Sequence, residues 1–254
     1  MPRANVLGVG VSAINMEQAL SLFESWLGNG ARGYVCVTGV HGVMEAQRDI
    51  GFRQILNRSL MTTPDGMPTV WVGRMQGFSE MDRVYGPDLM FHLCRLSCEK
   101  GYTHFFYGGR PGTGAQLKEV LCSSFAGLRV VGTYTPPFRP LNAEEECELL
   151  LQVSSVKPDI FWVGLSTPKQ ERFMARYLDK INAKIMVGVG AAFDYHTGMI
   201  KEPPEWLKRA GLQWAHRLLQ DPARLGKRYL RNNPAFLWRI GLQLSGLCKY
   251  SLDV

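Results

Sequence analysis

The sequence lacks the features that define several classes of protein. No stretch of its 254 residues reaches the roughly 18 to 20 consecutive apolar residues of a membrane-spanning helix. Its first residues also lack the long apolar run of a signal peptide, so we expect the chain to remain cytoplasmic. The six cysteines contain no C-x-x-C pair, which indicates buried thiols rather than a zinc ribbon or a disulfide framework.

Two motifs that commonly hold nucleotides are missing as well. No D-x-D triplet occurs, so the carboxylate clamp with which many nucleotide-sugar enzymes bind a metal and a diphosphate is not visible. Gly109, Gly112 and Gly114 do not give the G-x-G-x-x-G fingerprint of dinucleotide-binding folds. We therefore expect neither a metal site nor a cofactor, and basic side chains or helix N-termini have to hold any phosphate group.

The net charge of +7 is concentrated at one end of the chain. Residues 1–200 carry 19 Lys and Arg against 18 Asp and Glu, whereas residues 201–254 carry 10 against 4. We expect two parts, a near-neutral core (1–200) and a basic helical appendage (201–254, called the tail below). The partner of such a tail is anionic: a phosphate, a nucleic acid or an acidic membrane surface.

Short apolar runs alternate with helical patterns along the core. The predicted strands lie at 34–38, 69–72, 104–107, 128–132, 159–163 and 183–188. The predicted helices lie at 15–27, 89–99, 114–125, 144–155 and 169–182. This alternation predicts an α/β fold with a Rossmann-like, mainly parallel sheet and helices on both faces, followed by the helical tail.

In parallel sheets the ligand binds where the carboxyl ends of the strands lead into loops. The glycine-rich loop at 108–114 allows backbone N–H groups to approach a pyrophosphate, or it is a plain tight turn. Gln170 is placed to bind a ligand above the sheet, unless its segment is only a capped helix in which Glu171 answers the helix dipole. Asp194 either accepts hydrogen bonds from a sugar or base, or caps a turn.

A carboxylate in a rigid turn is a candidate general base. Asp65 lies between prolines in the sequence TTPDGMP at 62–68, and a side chain with few rotamers suits a general base. Turn formation alone also explains this sequence. Arg83, farther along, pairs either with a phosphate or with Asp88.

Taken in order, these loops resemble the WecG/TagA/CpsF family of bacterial glycosyltransferases over about residues 5–235. The motifs that carry the resemblance are TPDG at 63–66, YGGRPG at 107–112, PDI at 158–160, VG at 163–164, PKQE at 168–171, GVGAAFD at 188–194, PPEW at 203–206, GLQWAHR at 211–217 and DPAR at 221–224. Each motif is short, but their shared order is specific.

The resemblance implies inverting, metal-independent transfer from a UDP-sugar to a polyprenyl-diphosphate-linked sugar, in cell-surface polysaccharide synthesis. The donor sugar would be N-acetylmannosamine, its uronate or a glucose-like sugar. The enzyme would be peripheral on the inner face of the plasma membrane. By resemblance Asp65 is the general base, Arg83 faces the diphosphate and Thr38 lines the donor-sugar pocket. The resemblance assigns the nucleotide to Gly108, Gly109, Gly112, Gln170 and Asp194.

The sequence departs from the family pattern at two positions. The family usually shows T-x-N at the end of the strand predicted at 34–38, whereas in this sequence Val40 stands in the place of the asparagine. Either His41 supplies the missing hydrogen bond or the donor sugar needs none. Gln213 stands where a glutamate is usual, which removes a charge near the tail.

The tail pattern allows two interpretations. Several of its basic side chains share a helical face. This face is either exposed to solvent while the opposite, apolar face packs on the core, or it lies in a membrane interface. The basic side chains are Arg217, Arg224, Lys227, Arg228 and Arg231. In the membrane interpretation, apolar side chains enter the headgroup boundary: Phe236, Leu237, Trp238, Ile240 and Leu242. By resemblance the tail closes over the site, and Arg217 and Arg224 neutralise the departing UDP.

Two other classes of protein are less well supported. An NAD-dependent oxidoreductase needs the fingerprint that is missing. A nucleic-acid-binding protein is disfavoured because the tail arginines alternate with aliphatic residues and no RNA- or DNA-binding signature occurs, so we expect no nucleic-acid partner. A homo-oligomeric state stays open.

Overall fold

A computed structural model describes residues 1–252 of the chain. The strands are β1 (Arg3–Val6), β2 (Val9–Ser12), β3 (Gly33–Thr38), β4 (Met61–Pro64), β5 (Thr103–Gly108), β6 (Arg129–Tyr134), β7 (Ile160–Gly164) and β8 (Ile185–Gly188). The helices are α1 (Met16–Gly28), α2 (Val40–Ala46), α3 (Ile50–Arg58), α4 (Met67–Met75), α5 (Gly86–Lys100), α6 (Thr113–Ser124), α7 (Ala143–Val156), α8 (Lys169–Tyr177), α9 (Ala192–His196), α10 (Glu205–Arg209), α11 (Gln213–Gln220) and α12 (Pro222–Leu244).

These elements group into two compact units that are discontinuous in sequence. The first unit combines Met1–Met16, Val37–Tyr85 and the residues from Lys201 on. The second unit combines Glu17–Cys36 and Gly86–Ile200. The tail therefore belongs to the same unit as the segment that carries the predicted general base.

Six strands form one sheet in the order β4-β3-β8-β7-β5-β6, and β1 and β2 form a separate antiparallel hairpin. The strand pairs β3–β8, β8–β7, β7–β5 and β5–β6 are parallel. Every residue of β3, β5 and β8 is buried, as is typical of parallel strands with continuous apolar sequences. The prediction of an α/β fold with a mainly parallel sheet is confirmed.

Stacked aromatic rings fix α8 to the sheet in the second unit. Phe105 on β5 lies opposite Phe161 on β7, and their ring centroids are 5.2 Å apart. Phe173 of α8 stacks on Tyr107 of β5 with centroids 4.4 Å apart. Each such ring buries a large apolar area in a defined geometry. The loop that precedes α8 therefore ends at a helix whose position is fixed.

In the first unit, a side-chain amide binds the tail to the β1–β2 hairpin. Gln243 of α12 accepts a hydrogen bond from the Leu7 N–H at 2.8 Å and donates one to the Asn5 carbonyl at 2.7 Å. The Asn5 amide in turn donates to the Tyr250 carbonyl at 2.6 Å. These bonds satisfy backbone groups of the hairpin and of the segment after α12.

The predicted strand at 69–72 is wrong, because these residues lie inside helix α4. The strand of this region is β4, which ends at Pro64. It overlaps the sequence TTPDGMP at 62–68, which is typical of a turn. Gly66 caps α4 and Pro68 lies in its first turn, a position that tolerates proline. A short β-branched run alone does not distinguish a buried strand from a buried helix. The five other predicted strands correspond to β3, β5, β6, β7 and β8.

The tail forms three helices, α10, α11 and α12. The expectation that Phe236 and Ile240 enter a headgroup boundary is wrong, because both are buried in the fold. Large apolar side chains on α11 and α12 are nevertheless exposed: Leu219, Leu230, Leu237 and Trp238. Among residues 1–252, none of the helices combines the length and the apolar character that crossing a bilayer requires.

A buried histidine lies in the core of the second unit. His104 on β5 is fully buried, and its Nδ1 accepts a hydrogen bond from Trp162 Nε1 at 2.9 Å. Burial lowers the pKa of His104 to about 4, although Asp159 opposes this effect. The imidazole is therefore neutral in the folded protein at physiological pH.

We expect His104 to make the protein less stable as the pH falls from 6.5 to 4. Over this range the unfolded chain binds a proton at His104 that the folded chain does not, which costs about 3 kcal/mol at the acid end. The variant His104→Gln keeps an acceptor for Trp162 but does not titrate. Urea unfolding at pH 7 and pH 4.5 should therefore show a smaller acid loss of stability in the variant. Equal losses in both proteins would contradict the assignment.

Candidate active site

The turn that carries Asp65 is held by hydrogen bonds from two neighbouring segments. The Thr63 hydroxyl donates to the Val84 carbonyl at 3.2 Å, and the Val84 N–H donates to the Pro64 carbonyl at 2.9 Å. The Asp65 N–H donates to the carbonyl of Thr38, the last residue of β3, at 3.2 Å. The backbone of Asp65 is therefore fixed beside the end of β3.

The Asp65 carboxylate lies close to Gly39, the residue that follows Thr38. A Cβ atom built on Gly39 would be 3.6 Å from Asp65 Oδ2, so the carboxylate faces this glycine directly. The Thr38 hydroxyl is buried and has no hydrogen-bond partner within residues 1–252. A buried hydroxyl without a partner costs about 1–3 kcal/mol, which a ligand can recover by binding it.

Three groups fix the guanidinium of Arg83 in the first unit. Its Nε donates to the Asp65 carbonyl at 2.8 Å, and its Nη2 donates to Gln213 Oε1 of the tail. The guanidinium carbon lies 4.0 Å from the centroid of the Tyr85 ring. Arg83 is therefore attached to the Asp65 turn and to the first residue of α11 at once.

A buried lysine lies on the same aromatic ring. Lys208 Nζ is 5.9 Å from the Tyr85 ring centroid, and the residue is only 8% exposed. It pairs with Glu202 at 2.9 Å and with Glu205 at 3.5 Å. The Tyr85 ring thus contacts both Arg83 and a cation from the tail.

His41 lies on α2 in contact with the tail. Its Nδ1 is 3.1 Å from Asn232 Nδ2 on α12 and 3.8 Å from Glu45 Oε1. Asn232 is itself buried and accepts a hydrogen bond from Arg48 at 2.6 Å. A role of His41 at the donor sugar stays a prediction, and these contacts also give it a part in joining α2 to α12.

Arg217 and Arg224 lie on either side of the corner between α11 and α12. Asp221 caps α12 at this corner, and its N–H donates to the Arg217 carbonyl at 3.1 Å. Arg224 Nε donates to Asp221 Oδ2 at 2.5 Å while the Arg224 side chain stays largely exposed. The hydrogen bond from Arg224 lowers the pKa of the Asp221 carboxyl.

The predicted glycine loop brings the end of β5 against the end of β7 in the second unit. Gly109 N–H donates to the Gly164 carbonyl at 3.1 Å. Gly108 has a φ of +122°, and a Cβ built there would lie 2.5 Å from the same carbonyl oxygen. Gly112 caps α6 with a φ of +84° and no side-chain hydrogen bond. The first N–H groups of α6 thus have no side-chain cap, as an anion site at a helix start requires.

Gln170 connects two loops of the second unit. Its Oε1 accepts a hydrogen bond from the Gly190 N–H at 2.9 Å. Its side chain packs against Gly188, where an added Cβ would lie 3.2 Å from Gln170 Cδ. Asp194 follows on α9, half-buried, and its carbonyl accepts the Ile200 N–H at 3.0 Å.

The predicted site residues therefore fall into two groups. Thr38, Asp65 and Arg83 are joined in the first unit, and the glycine loop, Gln170 and Asp194 lie in the second. Sequence reasoning missed that Tyr85 and Gln213 hold Arg83. The signal for Gln213 is its departure from the usual glutamate, and for Tyr85 it is the proximity to Arg83 in RVYGPD.

The parallel sheet, with polar and glycine-rich loops where its strands end, defines an α/β protein of the kind that binds ligands at these loops. The chain belongs to the glycosyl transferase WecG/TagA/CpsF family, whose model matches residues 4–248. The chain is a glycosyltransferase, and the resemblance read from its motifs is confirmed.

Two curated relatives carry the same description, N-acetylglucosaminyldiphosphoundecaprenol N-acetyl-beta-D-mannosaminyltransferase. The protein from Bacillus spizizenii is 29% identical over 180 residues, which cover 71% of this chain and 68% of the relative. The protein from Bacillus subtilis is 25% identical over 179 residues, which cover 70% and 68%.

Two glycine variants test the close approach of β5 and β7 at the glycine loop, one as the test and one as its matched control. Gly108→Ala should strongly destabilise the protein because the new Cβ meets the Gly164 carbonyl oxygen at 2.5 Å. Gly112→Ala has a similarly positive φ but no atom within 4 Å, so it should cost only about 1–2 kcal/mol. Thermal unfolding should show a much lower midpoint for the first variant. Equal midpoints would contradict the close approach of β5 and β7.

Proposed function

We propose that this glycosyltransferase transfers N-acetylmannosamine from its UDP derivative to an N-acetylglucosaminyl-diphosphate-linked polyprenol, in cell-surface polysaccharide synthesis. The description of the two relatives supports this acceptor and this sugar. The observation that carries the proposal is the fixed turn of Asp65, whose N–H donates to the carbonyl of Thr38, a residue whose buried hydroxyl has no partner in the described chain.

The first unit supplies the base. Asp65 takes the proton of the acceptor hydroxyl while the acceptor oxygen bonds to the anomeric carbon of the donor. The bond from that carbon to the diphosphate oxygen breaks in the same displacement, which inverts the anomeric centre. Thr38 hydrogen-bonds the donor sugar. Asp65 needs its fixed backbone because a base works only within hydrogen-bond reach of the proton.

The leaving UDP carries negative charge that basic groups of the first unit neutralise. Arg83 is held in place by Asp65, Gln213 and Tyr85, so its guanidinium is preorganised before the reaction. Arg217 and Arg224 at the corner of the tail add further positive charge. Preorganised charge at a developing anion is worth a few kcal/mol of activation free energy.

The second unit holds the nucleotide. The turn of Gly108, Gly109 and Gly112 lets the diphosphate approach the backbone, and N–H groups at the start of α6 bind it. Gln170 and Asp194 bind the uridine. We propose that the transfer needs no metal ion, because backbone N–H groups and basic side chains hold the diphosphate instead.

The tail meets the lipid-linked acceptor at the cytoplasmic face of the plasma membrane. Its basic residues attract anionic lipid, by about 1 kcal/mol per residue near the surface. The exposed Leu230, Leu237 and Trp238 of α12 enter the headgroup region. Basic and apolar side chains exposed on one element are typical of an interfacial helix.

Asp65→Asn should lower turnover by about 10²- to 10⁴-fold while the affinity for UDP stays unchanged, because the amide cannot accept the proton. Transfer from UDP-N-acetylmannosamine to a short-chain acceptor is measured in buffer with a chelator, and UDP binding is measured by calorimetry. The exposed Asp179 gives the control Asp179→Asn. Normal turnover of Asp65→Asn would assign the base elsewhere, with His41 next in line. Loss of wild-type transfer in the chelator would contradict metal independence.

The tail arginines give a second test, with a water-soluble acceptor that removes the need for a membrane. Arg217→Ala and Arg224→Ala should each lower turnover by about 10²-fold if these side chains stabilise the departing UDP. Arg231→Ala, an exposed residue on the same tail, should keep full activity. Point variants are preferable to deleting the tail because Gln213 and Gln243 are part of the first unit. Full activity of all three variants would reduce the tail to a membrane anchor.

A further inference from the structure

A buried carboxyl beside the candidate nucleotide loops has no role in the mechanism described so far. Glu171 lies in the first turn of α8, where one interpretation of the sequence has its charge answer the helix dipole. The structure instead leaves Glu171 0% exposed. Burial raises the pKa of its carboxyl. Burying a carboxyl costs free energy, so its contacts with neighbouring residues should show what it does.

The contacts of Glu171 converge on one oxygen. Oε1 accepts a hydrogen bond from the Thr167 hydroxyl at 2.8 Å and another from Gln170 Nε2 at 3.1 Å. Oε2 has no hydrogen-bond partner within residues 1–252. Glu171 thus holds the donor end of the Gln170 amide.

The other end of that amide holds the next loop. Gln170 Oε1 accepts the Gly190 N–H at 2.9 Å, and Gly190 has a φ of +57°. The opposite orientation of the amide would set the NH2 group against the Gly190 N–H, and the amide oxygen against Glu171 Oε1. Both contacts would then be repulsive. Glu171 and Gly190 together therefore specify one orientation of Gln170.

We propose that Glu171 is a positioning residue, whose buried carboxyl orients the Gln170 amide and thereby fixes the Gly188–Ala191 loop that leads to Asp194. The proposal rests on the proposed role of Gln170 and Asp194 in binding UDP. Glu171 itself does not contact the nucleotide. A fixed loop binds more tightly because its ordering is complete before the ligand arrives.

Calorimetry with UDP tests this role. Glu171→Leu fills the same space without an acceptor, and we expect the affinity for UDP to fall about tenfold, the equivalent of one hydrogen bond. Glu171→Gln keeps an oxygen that accepts from Thr167 and Gln170, so it should bind UDP like the wild type. Wild-type affinity of Glu171→Leu, or equal weakening of both variants, would overturn the proposal.

A double-mutant cycle shows whether Glu171 acts through Gln170. Gln170→Ala should weaken UDP binding, and adding Glu171→Leu to it should cause no further loss. An equally large loss from Glu171→Leu in both backgrounds would mean that it acts by another route, and would overturn the proposal.

A measurement without ligand separates this proposal from the proposed function. Hydrogen exchange of the Gly190 amide should speed up in Glu171→Leu and stay at the wild-type rate in Glu171→Gln. If the wild type fails to bind UDP, the proposed function is wrong, and the exchange rates still decide the role of Glu171. Unchanged exchange in Glu171→Leu would overturn the positioning role.

Discussion

Side-chain amides join the three separate sequence segments of the first unit. Gln243 binds the hairpin at Asn5 and Leu7, Asn232 binds His41 and Arg48, and Gln213 binds Arg83. An amide offers both a donor and an acceptor, so one side chain satisfies two different groups without adding charge. The placement of the tail near the Asp65 turn depends on these amide contacts.

In the part of the tail that the structure describes, acidic side chains pair with basic side chains of the tail itself. Glu202 and Glu205 pair with Lys208, and Asp221 pairs with Arg224. The positive excess is therefore carried by the remaining basic side chains, half of which lie on α12: Lys227, Arg228, Arg231 and Arg239. A surface field of one sign attracts anionic partners over a distance that is set by the salt concentration.

The sequence predicted those parts that depend on local patterns. Continuous apolar runs such as that of β5 identify buried strands. The glycines after β5 predicted a phosphate loop or a tight turn, but not the close approach to Gly164. The contact of Arg83 with Gln213 spans 130 residues, and no local pattern encodes it. The burial of Phe236 was not predicted for the same reason. Helical periodicity identifies the apolar side of α12, but not the elements that cover it. Glu171 was missed because a glutamate early in a helix usually faces water.

The discontinuous first unit has a consequence for the order of folding. The Asn5 carbonyl and its partner Gln243 are 238 residues apart, so their bond forms only after the tail has left the ribosome. The second unit, in contrast, is complete once Ile200 has emerged. A nascent chain thus completes the loops of the proposed nucleotide site first, and the segment with Asp65 stays without its tail contacts until the tail has been synthesised. Contacts between residues so far apart in sequence slow folding, so we expect the first unit to fold after the second.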